Sequence, residues 1–146
     1  MKKTIIVVVI VAVVLLIGFI ALGNFKKSLP SDIAATRAKA EQASLKAFAA
    51  QTMGSLAQYY STNQTVNFSV NPQIKQSLDT QSSQLGQQYS GTVVYKIYES
   101  SNATSVKVGD TTAGIYECID SGTVQVSDIT ADQLNQSTDC SGKVIQ

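Results

Sequence analysis

The sequence predicts an α+β protein, with a long N-terminal helix (transmembrane, then amphipathic) packed on a small antiparallel β-meander. Three observations carry this. An uncharged apolar run occupies Thr4–Leu22. A stretch rich in Ala, Leu, Lys and Gln follows, with apolar residues at helical spacing. From Gly91 the hydrophobic period falls to two, and turn residues interrupt it at near-even intervals. The chain of 146 residues divides into an anchor over 1–27 and one extracytoplasmic domain over 28–146.

The first run, TIIVVVIVAVVLLIGFIAL, spans 19 residues, nearly enough at ~1.5 Å per residue to cross a ~30 Å hydrocarbon core. Its Ile and Val are mediocre helix formers in water. In lipid, helix is enforced because each backbone N–H and C=O must be satisfied within the segment. Lys2 and Lys3 also suit a secretory signal, with Ala21-Leu22-Gly23 as a cleavage site. The run exceeds the ~7–15 residues of a signal core, which favours a retained anchor. Lys26 and Lys27 close it, so lysines flank both ends. Flanking charge therefore says little about orientation, and the cysteine pair sets the expected topology, a single pass through the cell membrane with the body outside.

The next stretch, 28–62, carries Ala34, Ala38, Leu45, Phe48, Thr52, Leu56 and Tyr59 at steps of three, four or seven. Arg37, Lys39, Glu41 and Lys46 fall mostly off this stripe. Pro30 removes a backbone donor and disfavours helical geometry at Leu29, so it kinks or interrupts the helix there. Asn71-Pro72 then reads as an N-cap with proline in the first turn, and Ile74, Leu78 and Leu85 mark one face of a short helix over 72–86 ending at Gly86.

The meander occupies 92–127. Thr92–Glu99 places Val93, Tyr95 and Ile97 on one side and Val94, Lys96 and Tyr98 on the other. Thr104–Val108, Thr112–Asp120 and Thr123–Ser127 complete four strands. An antiparallel sheet needs cover on only one face, and the amphipathic helix supplies it. Tyr59, Tyr60, Tyr95, Tyr98 and Tyr116 read as core and sheet-face residues.

Cys118 and Cys140 are the two cysteines. In an exported chain such a pair reads first as a disulfide, closing the tail over 128–146; two free buried thiols are the other reading. Closure of this loop is worth ~3 kcal/mol in the chain-entropy model.

Charge and composition exclude much. The net charge is +1, with no His. Without imidazole there is no Cys/His zinc site and no Ser-His or Cys-His nucleophile. No basic patch suggests nucleic acid. Ser44-Leu45-Lys46 has the residue types for Ser–Lys catalysis but sits on a helix face. Asp128, Thr130 and Asp132 alternate like the start of a calcium loop, without its glycine or closing glutamate. No catalytic residue, metal or cofactor is therefore expected, and the chain is not read as an enzyme. Asn63, Asn67, Asn102 and Asn135 stand in N-x-[ST] sequons, candidate glycosylation sites on exposed loops or simply products of a Ser/Thr-rich surface.

An apolar helix leading into an amphipathic one, the stretch ending LAQYYSTNQ, a meander and a late cysteine pair together resemble the type IV pilins and type II secretion pseudopilins. The motif-level likeness covers Ala34–Gln64 and Pro30. The resemblance implies a pilin-like fold, apolar helices bundled with copies or partners in a surface filament or pseudopilus, and a C-terminal disulfide loop at Cys118/Cys140. Gly18-Phe19 matches the processing dipeptide of that family but lies at the far end of the apolar run, and the first acidic residue is Asp32. Neither peptidase processing nor glutamate-guided assembly is thus implied. From another class, a monomeric membrane-tethered binding domain satisfies the same residues.

Overall fold

Helix α1 (Lys2–Asn63) is followed by α2 (Pro72–Tyr89), strands β1 (Val93–Glu99), β2 (Thr104–Asp110), β3 (Ile115–Asp120) and β4 (Ser127–Asp128), and the one-turn helix α3 (Ala131–Leu134). The architecture is that of a computed structural model, which describes residues 31–65, 67–100 and 103–145. The chain divides into two units, Met1–Ala38 and Lys39–Gln146. The expected membrane span at Thr4–Leu22 lies outside the described residues. Among the described residues no helix is long and apolar enough to cross a membrane.

The bend expected at Pro30 lies outside the described residues. Ala34 and Ala38, assigned above to the buried stripe, are exposed like all of residues 31–40.

In the second unit the stripe on α1 starts later and contains an acid. Glu41, Leu45, Phe48, Ala49, Thr52, Met53 and Leu56 are buried at helical spacing. Thr52 disposes of its hydroxyl by donating to the Phe48 carbonyl at 2.7 Å. Leu45, Phe48 and Leu56 pack with Val106, Val108 and Ile119 of the sheet and Leu78 of α2, while Val93, Tyr95 and Ile97 flank them. Phe48 meets Tyr95 edge-to-face at 6.3 Å between ring centres.

The sheet is a four-stranded antiparallel meander in the order β1-β2-β3-β4. Its strands differ at the margins from the expected ones. β2 runs on to Asp110, β3 begins only at Ile115, and β4 shrinks to Ser127–Asp128. Aspartate chemistry accounts for the two late starts. Asp110 Oδ1 accepts from the N–H groups of Thr112 (2.7 Å), Ala113 (3.1 Å) and Thr92 (3.2 Å), which fixes 111–114 as a turn. Asp120 Oδ1 repeats the device with Gly122 N–H (3.0 Å), Thr123 N–H (2.8 Å) and the Thr123 hydroxyl (3.0 Å).

Helix α2 starts as expected, with Asn71 Oδ1 accepting from Gln73 and Ile74 N–H, but continues three residues past Gly86. Gly86 serves as a contact rather than a stop. Its carbonyl accepts from Gly91 N–H at 2.9 Å, and a Cβ there would lie 3.0 Å from the Gly91 carbonyl oxygen. Ser90, in the left-handed conformation, ends the helix.

Candidate functional site

β2 is buried along its whole length, because both faces of the sheet are covered. Thr104, Val106, Val108 and Asp110 lie toward α1. Ser105, Lys107 and Gly109 lie on the opposite face, where the C-terminal tail sits. Gly109 is required there by close approach: a Cβ would lie 2.3 Å from Cδ1 of Tyr116. Cover on that second face was not legible above, and the residues beneath it form the most elaborate polar arrangement of the domain.

Cys118 and Cys140 are joined, with Cα atoms 5.5 Å apart. Beside Cys118, as its register partner on β2, stands Lys107 with no solvent exposure. Its ammonium donates to the Gln133 carbonyl (2.7 Å), the Gln136 carbonyl (2.9 Å) and the Thr138 hydroxyl (2.9 Å). All three N–H bonds are thus used, as a buried cation demands. The Tyr98 ring lies 5.1 Å below the charge, and the Tyr98 hydroxyl donates to the Leu134 carbonyl at 3.0 Å. Burial pushes the Lys107 pKa down, and Asp139 opposes it. Ser105 donates to the Thr138 carbonyl at 3.1 Å.

The tail is shaped to meet these donors. Thr130 caps α3 in a reciprocal capping box with Gln133, which turns the Gln133 carbonyl toward Lys107. Asp139 Oδ1 accepts from Ser141 N–H (2.9 Å), the Ser141 hydroxyl (2.7 Å) and Lys143 N–H (2.8 Å), closing the turn after Cys140. The sequence signals were present, as Thr130-x-x-Gln133 and as a lysine in an apolar alternation, but neither was read.

The interface between α1 and the sheet contains a second polar arrangement. Glu41, expected off the stripe, is buried against Asp110; it follows the stripe's own spacing one turn before Leu45. Burial pushes the Asp110 carboxyl up, but the backbone N–H groups around it and the Glu41 side chain outweigh that and hold it below its ordinary value. One strand away, Glu117 has no solvent exposure and no hydrogen-bond partner on either oxygen. Lys46 Nζ stands 3.8 Å from it and 3.0 Å from Asp128. Burial pushes the Glu117 carboxyl up; Gln42 and Lys46 oppose this and Asp128 adds to it.

The remaining sequence candidates scatter. Asn63, Asn67 and Asn135 are exposed, while Asn102 lies outside the described residues. Asp128, Thr130 and Asp132 do not converge: Asp128 pairs with Lys46 and Thr130 caps α3. Among the described residues no group of three or more His, Cys, Asp or Glu is placed to hold a metal ion. Ser44 Oγ lies 2.8 Å from the Tyr89 hydroxyl. Tyr60, expected in the core, is exposed, whereas Tyr59 packs edge-to-face on Phe68 at 5.9 Å. Shallow grooves run between α2 and β1 (about 480 Å³) and between α1 and α2 (about 560 Å³). No family model, curated protein or solved structure matches this chain.

Proposed function

We propose that this chain is a membrane-anchored, pilin-like structural subunit of a surface filament or secretion pseudopilus. The N-terminal helix packs with copies or partners in the membrane, and the domain forms the exposed surface outside the cytoplasm. One observation carries the reading. Within Lys39–Gln146 a helix covers one face of a four-stranded antiparallel meander, while a disulfide-closed C-terminal tail covers the other. The helix laid on an antiparallel sheet and the disulfide-closed C-terminal loop are what the resemblance to pilins and pseudopilins implies. The domain's polar groups support it further, since Lys107, Asp110, Asp120 and Asp139 serve to fix turns and the tail.

The test is assembly. Full-length protein is expressed in membranes, and the cells are sheared gently. The released material is sedimented, imaged by electron microscopy and probed for this chain. Recovery in filaments or short high-mass assemblies, lost on Val8→Asp or Val13→Asp in the apolar run, is the expected result. A chain that stays in the membrane and is monomeric in mild detergent would instead be a tethered binding domain.

A further inference from the structure

Strand β1 is the outer strand of the sheet, and the hydrogen-bond phase shows which of its backbone groups are free. Thr111 N–H donates to the Thr92 carbonyl at 3.0 Å, and Ser100 N–H donates to the Ala103 carbonyl at 2.8 Å. Both sites belong to the same register as Val94↔Gly109 and Lys96↔Lys107. Bonded pairs alternate in an antiparallel ladder, so the even-numbered residues of β1 bond to β2. Val93, Tyr95 and Ile97 therefore direct their N–H and C=O groups outward. Among the described residues no hydrogen bond from outside the sheet reaches those groups.

The edge is also bounded and lined. At its far end Glu99 accepts from Phe68 N–H at 2.7 Å and from the Ser69 hydroxyl at 2.7 Å, which holds that loop against the strand's end. At the near end α2 abuts the strand, where a Cβ on Gly86 would lie 3.7 Å from the Val93 nitrogen, so the open stretch is centred on Tyr95–Ile97. Alongside it runs the groove of about 480 Å³, with Ile74 and Leu78 of α2 on one wall and Val93, Tyr95 and Ile97 on the other.

We infer that this edge is a docking strand for an extended acidic segment of another protein, which adds a fifth strand to the sheet and sets a carboxylate beside Lys96. Charge selects the occupant. Lys96 is exposed and makes no ion pair among the described residues, whereas Lys75 is committed to Asp79 at 2.9 Å. Its cross-strand neighbour on β2 is Lys107, so that face of the sheet carries two cations and the tail satisfies only the buried one. A second copy is a poor occupant: pairing β1 with itself about its centre sets Lys96 against Lys96 at ~4.5 Å, and edge lysines commonly block such pairing. A segment of pattern apolar–acidic–apolar fits, because its alternate side chains point to the groove and its central one to Lys96.

The test uses full-length 15N-labelled protein in detergent micelles, with the blocked peptide Ser-Val-Glu-Val-Ser as probe and Ser-Val-Lys-Val-Ser as its counterpart. The glutamate peptide is expected to shift the amide signals of Tyr95 and Ile97 and slow their hydrogen exchange, with the lysine peptide at least tenfold weaker. Lys96→Glu reverses that preference, and Lys143→Glu leaves it unchanged. Equal binding of the two peptides, shifts confined to other residues, or dimerisation through β1 without peptide would each overturn the inference.

Discussion

The Lys107 ammonium lies 2.9 Å from the Thr138 hydroxyl, 31 residues further along the chain and with neither residue open to solvent. The same tail is tied covalently through Cys118, which is the register partner of Lys107. A covalent clasp and an electrostatic one thus act side by side on a segment that has few apolar residues of its own. Leu134 is its single buried aliphatic residue among those described. In such a segment the backbone carbonyls become the adhesive groups, and a cation able to bind three oxygens at once is well suited to gather them.

Lys107→Met is expected to destabilise the oxidised protein by about 2–4 kcal/mol, because three tail oxygens lose a donor while the site stays closed to water. Lys107→Arg fares little better, since a planar fork does not reproduce the three directions of an ammonium. Denaturant unfolding without reductant measures both. A wild-type midpoint in Lys107→Met would mean that the ammonium only balances the cost of its own burial.

Reduction removes the other clasp, at a cost of about 3 kcal/mol for a loop of this length. The more telling readout is local. Asp139 N–H donates to the Lys143 carbonyl at 2.8 Å and Ile145 N–H to the Ser137 carbonyl at 3.0 Å, and both bonds exist only while the tail is folded. In the reduced wild type these amides should still exchange slowly, held by Lys107. In reduced Lys107→Met they should exchange at the rate of free chain. Fast exchange in both would show that the disulfide alone orders the tail.

The antiparallel meander and the α1 stripe from Leu45 onward were readable because apolar periodicity is a strong signal where burial decides the face. The missed polar sites share one cause. Glu41, Lys107 and Glu117 are charged and buried: the two glutamates sit where periodicity calls for a buried residue, and Lys107 sits on the strand face that alternation assigns to solvent. A charge is ordinarily assigned to solvent, so Glu41 was placed off the stripe and the second covered face of the sheet went unseen. Only a three-dimensional partner tells a buried ion from an exposed one: the tail carbonyls for Lys107, Asp110 for Glu41, Lys46 for Glu117. The same limit applies to β4, where Thr123–Ser127 alternates like a strand but Asp120 draws Gly122 and Thr123 into a turn.

Glu117 makes stability depend on pH with a definite sign. Its folded pKa is raised above the ordinary 4.5, mainly by burial. Its contribution is therefore fully present below the ordinary value and is lost as pH rises through the folded one. The groups facing it are Gln42 and Lys46 on α1 and Asp128 on β4. Asp110 has the opposite sign: its folded pKa is lowered, so its contribution is present above the ordinary 3.8 and lost as pH falls through the folded value. Unfolding free energy of Glu117→Gln should thus decline less than wild type between pH 4.5 and neutrality, and follow wild type in the acid limb. Parallel curves across the upper window would show that Glu117 is not the group that titrates.

Val124 is a branched residue at φ +55° with 71% of its surface exposed. That backbone region costs a non-glycine L-residue ~1–2 kcal/mol, and the second branch at Cβ adds crowding. The turn enforces it, since Val124 N–H donates to the Asp120 carbonyl at 3.1 Å and Asp120 Oδ1 accepts from the N–H groups of the two preceding residues, Gly122 and Thr123. Little apolar burial is at stake in an exposed side chain. Val124→Gly should therefore stabilise the domain, by about 0.5–1 kcal/mol once the added freedom of the unfolded glycine is subtracted. Val124→Asn should fall between, because asparagine tolerates the left-handed region better than valine. Thermal midpoints in the order Gly, Asn, Val are expected. A Val124→Gly variant less stable than wild type would mean that the exposed isopropyl group makes a stabilising contact larger than the strain it imposes.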